Sequence, residues 1–281
     1  MSEERSLAQI VEEQIASGDV TLPVFDETAT KLQQMISKGE FDPDAVEKLV
    51  GGDPVLSGSL LRHANSTFFG GIEKVVTVRA AIMRLGVKQV AELLILAIQK
   101  EQYSLKSQDL HDLADRLWKH AVGCGMGAQW LAKKLNLGDG RVEEAFLAGM
   151  LHDIGKLLLV RVLDDLIDSK QLRYPPSPEL IVELLTALHA EHGYNLMQDW
   201  NIPDTYAAIV RDHHLDESDE HDDLLNLIRL VDTACNRLGI GIRGEVDINL
   251  AACPEAQHLR VSEILLAELE IRLEDAMSLA S

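Results

Sequence analysis

Residues 145–156 read AFLAGMLHDIGK, an apolar run that ends in a His-Asp pair and continues with Gly and Lys. The apolar run predicts a buried helix that ends at His152 and Asp153. Imidazole and carboxylate side by side are a ligand pair for a divalent metal ion. Lys156, three residues further on, is placed to meet a phosphate group. This stretch therefore predicts a metal site with an affinity for phosphate.

Further histidines and aspartates stand on other predicted helices, at positions where core residues are expected. His120 follows Leu117 and Trp118 within one helix, and Asp232 interrupts the apolar face of residues 227–231. A charged side chain is rarely buried alone, so Asp232 needs a metal ion, a hydrogen-bond network or a salt bridge. Each residue taken singly also fits an ordinary core or surface position. Taken together they predict one pocket, whose candidate metal ligands are His120, His152, Asp153, His189, His213, His214 and Asp232.

The predicted ligands also define the chemistry of the pocket. Neutral imidazole and carboxylate are standard ligands for Fe, Mn, Zn and Ni, so we expect one or two divalent ions of this kind. Metal ions in such sites activate water and polarise phosphoryl oxygens, which supports the hydrolysis of phosphate esters. The candidate catalytic residues are Asp153, as a bridging ligand or base, and Lys156, which offsets phosphate charge.

Helical periodicity runs through almost the whole chain. It predicts an all-α fold of two packed helical lobes, residues 1–105 and 106–281, with the boundary in the polar stretch near 104–109. Short strands are considered near 242–250. The glycines of residues 123–127 are interpreted as sites of close helix packing, and the last helix is expected to pack on the second lobe. The predicted helices cover 4–18, 26–38, 43–51, 54–64, 77–85, 87–102, 109–135, 141–153, 156–168, 178–199, 203–214, 223–238 and 258–279.

Charge and cysteine content exclude several classes of protein. The formal net charge is −20 over 281 residues, and a general nucleic-acid binder needs a positive surface. No apolar run approaches the ~18 residues of a membrane span, and the charged N-terminus lacks the apolar core of a signal peptide. The three widely spaced cysteines indicate neither a disulfide framework nor a zinc knuckle, and Cys235 reads as a core residue. We therefore expect a cytoplasmic protein.

At this point the residues resemble a known superfamily. The order of His120, His152-Asp153 and Asp232 resembles the H…HD…D pattern of HD-domain metal phosphohydrolases, and His189 with His213-His214 resembles the additional ligands of HD-GYP enzymes. Over residues 15–275 the chain is more similar still to the HDOD (HD-related output domain) family. The segments that carry this likeness are Leu22-Pro23, Asp53-Pro54, Leu60–Ser66, Ala80–Gly86, Leu188–Gly193, Trp200–Pro203 and His213-His214.

The resemblance implies two functions that the sequence leaves open. One is a signalling or regulatory output module with a retained His/Asp metal pocket, which binds an unknown signalling protein or a nucleotide and is a monomer or weak dimer. The alternative is a metal-dependent phosphohydrolase that acts on a nucleotide or phosphomonoester, with Lys156 on the phosphate. A structural protein with a relic pocket is a third reading.

The chain departs from the HD-GYP enzymes at two places. No Gly-Tyr-Pro loop follows His213-His214, and Arg116 stands where those enzymes carry a carboxylate ligand. A cation at that position disfavours a second or third metal ion. Hydrolysis of cyclic-di-GMP is therefore not expected, and a single-metal site is favoured.

Overall fold

The computed structural model describes residues 5–18, 20, 43–51, 54–65, 74–172, 174–215, 222–244 and 246–280. The regular structure within these ranges is helical, which confirms the all-α prediction. The helix predicted over 26–38 and the motif residues Leu22-Pro23, Asp53 and Ser66 lie outside the described residues.

The described helices, with two short 3₁₀ turns, follow one another along the chain. The 3₁₀ turns are Gln108–Leu110 and Leu250–Ala252. The helices are α1 (Leu7–Ala16), α2 (Pro43–Gly51), α3 (Pro54–Ala64), α4 (Val78–Leu85), α5 (Val87–Glu101), α6 (His111–Lys134), α7 (Asp139–Leu151), α8 (Ile154–Asp168), α9 (Pro178–Asp199), α10 (Asp204–Asp212), α11 (Asp223–Arg237), α12 (Pro254–His258) and α13 (Glu263–Ala280).

Local capping sets several of these boundaries. Ser177 caps α9 by accepting a hydrogen bond from the Leu180 amide, and Pro178 occupies the first helical position, as the sequence predicts. Asp222 caps α11 by accepting from the amides of Leu224 and Leu225. These caps satisfy amides that have no partner inside the helix, so the chain enters each helix at a defined residue.

The strands considered near 242–250 are wrong for the residues described there. Their backbone is non-helical and unpaired with any strand, up to the 3₁₀ turn at Leu250–Ala252. The carbonyls of Ile240 and Gly241 instead accept hydrogen bonds from the side chains of His120 and Arg116. Because side chains of α6 use these two carbonyls, the backbone that leads into residues 242–250 is held against that helix.

Contacts between Cα atoms divide the chain into two compact units. The larger unit comprises Met1–Pro23 and Tyr103–Glu274, and the smaller comprises Val24–Gln102 and Asp275–Ser281. The predicted lobe boundary between residues 105 and 106 stays a prediction.

In the larger unit, α6 packs along α7 and α11, and α9 packs along α8. A Cβ atom added to Gly127 would lie 2.6 Å from a side-chain carbon of Leu273 and 2.9 Å from one of Val231. The glycines of α6 therefore permit close helix packing, as predicted. Leu269 and Leu273 of α13 are fully buried in this packing.

The smaller unit has its own apolar core, formed by residues of α2 to α5 such as Val46, Leu60 and Leu94. Asn65 follows α3, and its side-chain amide donates to the carbonyls of Leu61 and Val75. Its side-chain oxygen accepts a hydrogen bond from the Val75 amide. Asn65 thereby links the end of α3 to the segment that leads into α4.

A buried carboxylate holds the segment before α6 against α8. Asp164 is 4% exposed, and its two oxygens accept hydrogen bonds from the amides of Lys106 and Ser107 at 2.9 and 2.7 Å. A charged acceptor shared by two amides is a strong arrangement, because either amide would otherwise be left without a partner.

We expect Asp164→Ala to lower the free energy of unfolding by roughly 2–4 kcal/mol, because two charge-assisted hydrogen bonds are lost. The matched control is Asp168→Ala on the same helix, whose side chain is 57% exposed and should leave stability unchanged within error. Urea unfolding followed by circular dichroism measures both variants. Equal losses in the two variants would contradict the role given to Asp164.

Candidate metal centre

The predicted His-Asp pair lies at the junction of two helices. His152 follows the last residue of α7, and Asp153 precedes the first residue of α8. His152 is fully buried and Asp153 is 8% exposed. The break between the helices turns both side chains into the interior, where side chains of α6, α9, α10 and α11 meet them.

The carboxylate of Asp153 is the centre of this arrangement. Its Oδ2 atom lies 2.5 Å from Lys156 Nζ and 3.3 Å from His120 Nε2. Its Oδ1 atom lies 3.4 Å from the Nε2 atoms of both His189 and His213. Oδ1 is buried and has no hydrogen-bond partner among the described residues. One carboxylate therefore faces two different sets of imidazoles.

The surrounding side chains form two groups, each of which could hold a metal ion. In each group the candidate ligand atoms lie within 4.8 Å of one another. The first group is His120, Cys124, His152 and Asp232. The second group is Asp153, His189, His213 and His214. All members are buried except His214, which is exposed.

The four buried histidines share one orientation. Each places its Nδ1 atom 2.8–3.1 Å from backbone carbonyls, which fixes the proton on Nδ1 in the neutral ring. The Nε2 atoms converge, with His120 and His152 at 3.3 Å and His189 and His213 at 3.3 Å. In a neutral ring Nε2 carries a lone pair. Burial opposes the charge of His120, but Cys124, Asp153 and Asp232 raise its pKa well above the ordinary value, so without a metal ion its Nε2 carries a proton. Converging lone pairs repel one another unless a cation or proton lies between them.

Burial and charge set the protonation of these groups. Burial lowers the pKa of His152 and of His189 to about 4, so both rings are neutral at pH 7. Burial opposes the charge of Asp153, but Lys156 and the neighbouring histidines hold its pKa well below the ordinary value. Asp232 is likewise held low against burial by His120. Neutral imidazole and ionised carboxylate are the forms that bind metal ions.

The spacing of the ligand atoms fits a metal ion. Two nitrogens bonded to one ion at ~2.1 Å lie ~3.4 Å apart in tetrahedral and ~3.0 Å apart in octahedral geometry. The separations of 3.3 Å between paired Nε2 atoms fall in this range, as does the 3.1 Å between His120 Nε2 and Asp232 Oδ1. The unsatisfied Oδ1 of Asp153 points at the second group. Donor set and spacing therefore suit a divalent cation.

The structure brings all seven predicted ligands together, with Lys156 among them. Lys156 is 6% exposed and pairs with Asp153. The hydrogen bond of Arg116, within the described residues, goes from its Nε atom to the Gly241 carbonyl at 2.8 Å. The sequence analysis missed Cys124, which lies one helical turn after His120 and therefore on the same face of α6.

Glycines allow the helices that carry these residues to approach closely. A Cβ atom added to Gly149 would lie 2.4 Å from the Cys124 carbonyl oxygen, and one added to Gly155 would lie 1.9 Å from that of His189. Real Cβ atoms do not come this near to backbone. The two glycines that flank His152 and Asp153 therefore set the distances from α7 to α6 and from α8 to α9.

Comparison with known proteins identifies relatives of this chain. The family model described as HDOD domain matches residues 22–215, more than half of the chain. An uncharacterized protein of Treponema pallidum (strain Nichols) is 26% identical over 202 residues, which cover 69% of this chain and 37% of that protein. The chain thus spans little more than a third of the length of this relative.

Solved structures share the fold. An HDOD domain protein of unknown function from Geobacter sulfurreducens is 18% identical with a TM-score of 0.73, covering 96% of both chains. A protein from Shewanella amazonensis SB2B, described as a proposed metal-dependent phosphohydrolase, is 18% identical with a TM-score of 0.70, covering 100% of this chain and 99% of its own. A proposed signal transduction protein from Marinobacter aquaeolei VT8 is 22% identical with a TM-score of 0.66, covering 98% of this chain and 66% of its own.

We expect Gly155→Ala to destabilise the protein by about 3 kcal/mol or more, because the added methyl group displaces the helix that carries His189. Gly140→Ala in α7 is the matched control, since its added methyl group would meet nothing within 4 Å. Replacing a helical glycine there should leave the free energy of unfolding unchanged or raise it slightly. Thermal unfolding of both variants measures the difference, and a Gly155→Ala protein as stable as Gly140→Ala would contradict the close approach.

The metal-stripped protein should lose stability as the pH falls from about 6.5 to about 4. In this window the unfolded state protonates His152, His189 and His214 while the folded state does not, because burial lowers the pKa of the first two to about 4 and of His214 to about 3, so unfolding takes up protons. The free energy of unfolding then falls by up to ~1.4 kcal/mol per pH unit for each of these residues. His189→Gln should flatten this slope by about a third, as measured by urea unfolding at a series of pH values with chelator present. An unchanged slope in the variant would count against a neutral, buried His189.

Proposed function

The chain belongs to the HDOD family, and from that premise we propose that it is a signalling or regulatory output module whose HD-type pocket binds divalent metal ions. The proposal rests on the surroundings of the Asp153 carboxylate. It lies between two groups of imidazoles, and its buried Oδ1 atom lacks a hydrogen bond among the described residues. A divalent cation satisfies the oxygen and the converging lone pairs at once.

The residues offer places for up to two ions. His120, His152 and Asp232 would hold one, and Asp153, His189, His213 and His214 would hold the other. When bound, such ions supply Lewis acidity toward a phosphate oxygen. The chain itself supplies the neutral rings, the fixed proton on each Nδ1 atom and a site from which most water is excluded.

Binding and regulation are favoured over turnover by the state of Lys156. Its ammonium group is buried and pairs with Asp153 at 2.5 Å, so it neutralises the carboxylate before any phosphate arrives. A phosphate-binding role would require this buried ion pair to separate. Separating a buried pair leaves an uncompensated charge, which is costly. The description of the Marinobacter protein as a proposed signal transduction protein agrees with a regulatory role.

Hydrolysis of a nucleotide or phosphomonoester is the second candidate, and the exposure of His214 favours it. His214 is the one member of the two groups that is exposed, so the second group has a side open to a ligand. A phosphate oxygen could reach an ion there without passing the buried first group. The description of the Shewanella protein as a proposed metal-dependent phosphohydrolase agrees with this candidate.

The remaining parts of the proposal concern location and partners. We place the protein in the cytoplasm, where reducing conditions suit its three free cysteines. No helix of the described residues is long and apolar enough to cross a membrane. The proposed partner is a signalling protein or a nucleotide, bound by a monomer or weak dimer, and the net charge of −20 argues against general nucleic-acid binding.

We expect protein purified without chelator or nickel affinity resin to contain one or two equivalents of Fe, Mn, Zn or Ni. Asp153→Ala should lose most of this metal because it removes a ligand of the second group and the carboxylate oxygen that faces His120 of the first. Asp168→Ala, on the exposed face of the same helix, should retain it. Elemental mass spectrometry measures all three proteins. Absence of metal from the wild type, before and after incubation with each ion, would refute the proposal.

Metal-loaded protein should release no phosphate from nucleotides or phosphomonoesters beyond the level of Asp153→Ala if the module only binds. A phosphate-release screen against both substrate classes tests this expectation. Turnover that chelation abolishes and Asp153→Ala lacks would establish the second candidate in place of the first.

A further inference from the structure

Cys124 occupies a place in the first group that the HD pattern of histidines and aspartates does not include. Its side chain is fully buried, and its Sγ atom lies 3.6 Å from His120 Nε2. The ligand atoms of His152 and Asp232 lie within 4.8 Å of this sulfur. The sulfur therefore lies close enough to the ligand atoms of His120, His152 and Asp232 to bind the same ion.

The distance from Cys124 to His120 fits coordination of one ion by both. For bonds of ~2.1 Å to nitrogen and ~2.3 Å to sulfur, tetrahedral geometry separates the two ligand atoms by ~3.6 Å. His152 Nε2 and Asp232 Oδ1 lie 3.3 and 3.1 Å from the same His120 atom, close to the other edges of such a polyhedron. The four side chains together provide two nitrogens, one oxygen and one sulfur.

The competing fourth ligand is the Oδ2 atom of Asp153, 3.3 Å from His120 Nε2. Lys156 already contacts that oxygen at 2.5 Å, which weakens it as a donor to a cation. The other oxygen of Asp153 faces the second group. Among the described residues, the side chains at hydrogen-bond distance from the Cys124 sulfur are His120, itself a ligand of the first group, and Cys235. The sulfur is therefore the better placed of the two.

A second buried cysteine contacts Cys124 from α11. The Sγ atom of Cys235 lies 3.6 Å from that of Cys124, and Cys235 is itself fully buried on α11, one turn after Asp232. In the metal-free protein the Cys124 thiol donates a weak hydrogen bond to the Cys235 sulfur. Once Cys124 has lost its proton to a metal ion, the Cys235 thiol is the group at hydrogen-bond distance that can donate to it. Gly149 packs against the Cys124 carbonyl and holds this turn of α6 in place.

We propose, resting on the metal-binding function inferred above, that Cys124 is a thiolate ligand of the first ion and makes the two halves of the pocket chemically unequal. The first half then binds through sulfur, nitrogen and oxygen, and the second through nitrogen and oxygen alone. On binding, the Sγ–H proton leaves to the buffer and the sulfur–metal bond forms in its place. A thiolate selects Zn²⁺, Fe²⁺ or Co²⁺ over Mn²⁺ in the first half, whereas the second half accepts any of them.

The test uses Co²⁺ alone as the probe, because cobalt bound to thiolate has a near-ultraviolet charge-transfer band that cobalt bound to nitrogen and oxygen lacks. The metal-stripped full chain is titrated with Co²⁺ and followed by absorbance and by calorimetry. We expect the band in the wild type and in Cys253→Ser, whose sulfur lies outside both groups. We expect Cys124→Ser to bind Co²⁺ without the band and to bind Zn²⁺ roughly 10- to 100-fold more weakly in the first half.

A double variant, Cys235→Ser with Cys253→Ser, tests the same proposal with Cys124 intact, in case Cys124→Ser does not fold. The chain has three cysteines, so a band in the double variant comes from Cys124 alone. Two results would refute coordination by Cys124: cobalt binding by the wild type without the band, or a band that persists in folded Cys124→Ser. Neither result would contradict metal binding by the pocket itself. Absence of any cobalt binding by the wild type would overturn both inferences together.

Discussion

The negative charge of Asp153 is buried, and much of the larger unit is arranged to stabilise it. The carboxylate contacts Lys156 of its own helix and imidazoles carried by α6, α9 and the end of α10. A buried ion without compensation costs several kcal/mol, so these partners cannot be removed independently. The close-packed glycines beside His152 and Asp153 bring the helices near enough for these partners to surround the two carboxylate oxygens.

Charge compensation also bears on what the pocket can bind. Lys156 supplies one positive charge from within the protein, and a bound cation supplies the rest from outside. With the lysine alone, Oδ1 of Asp153 still lacks a hydrogen bond among the described residues. The uncompensated oxygen therefore favours the binding of a cation, while the burial of the surrounding side chains limits the access of larger ligands.

The sequence predicts the helices and the His/Asp ligands because both depend on local signals. Ser177-Pro178 marks the start of α9 by its own capping chemistry, and Asp232 stands out because a carboxylate in an apolar helix face needs a partner. Cys124 gives no such signal, since a buried cysteine is an ordinary small apolar residue. Short strands are considered near 242–250, and the sequence gives no local signal for the loop that begins there, because the side chains that bond the preceding carbonyls, His120 and Arg116, are distant in sequence.

The histidine rings are oriented largely by their own helices. His152, His189 and His213 each bond a carbonyl three or four residues earlier, so their aim depends on helix formation and requires no ion. Little conformational entropy remains to be lost when a cation arrives. Metal occupancy should therefore leave the shape of the unit almost unaltered and change chiefly its internal charge, since each divalent ion would bring two positive charges into the interior.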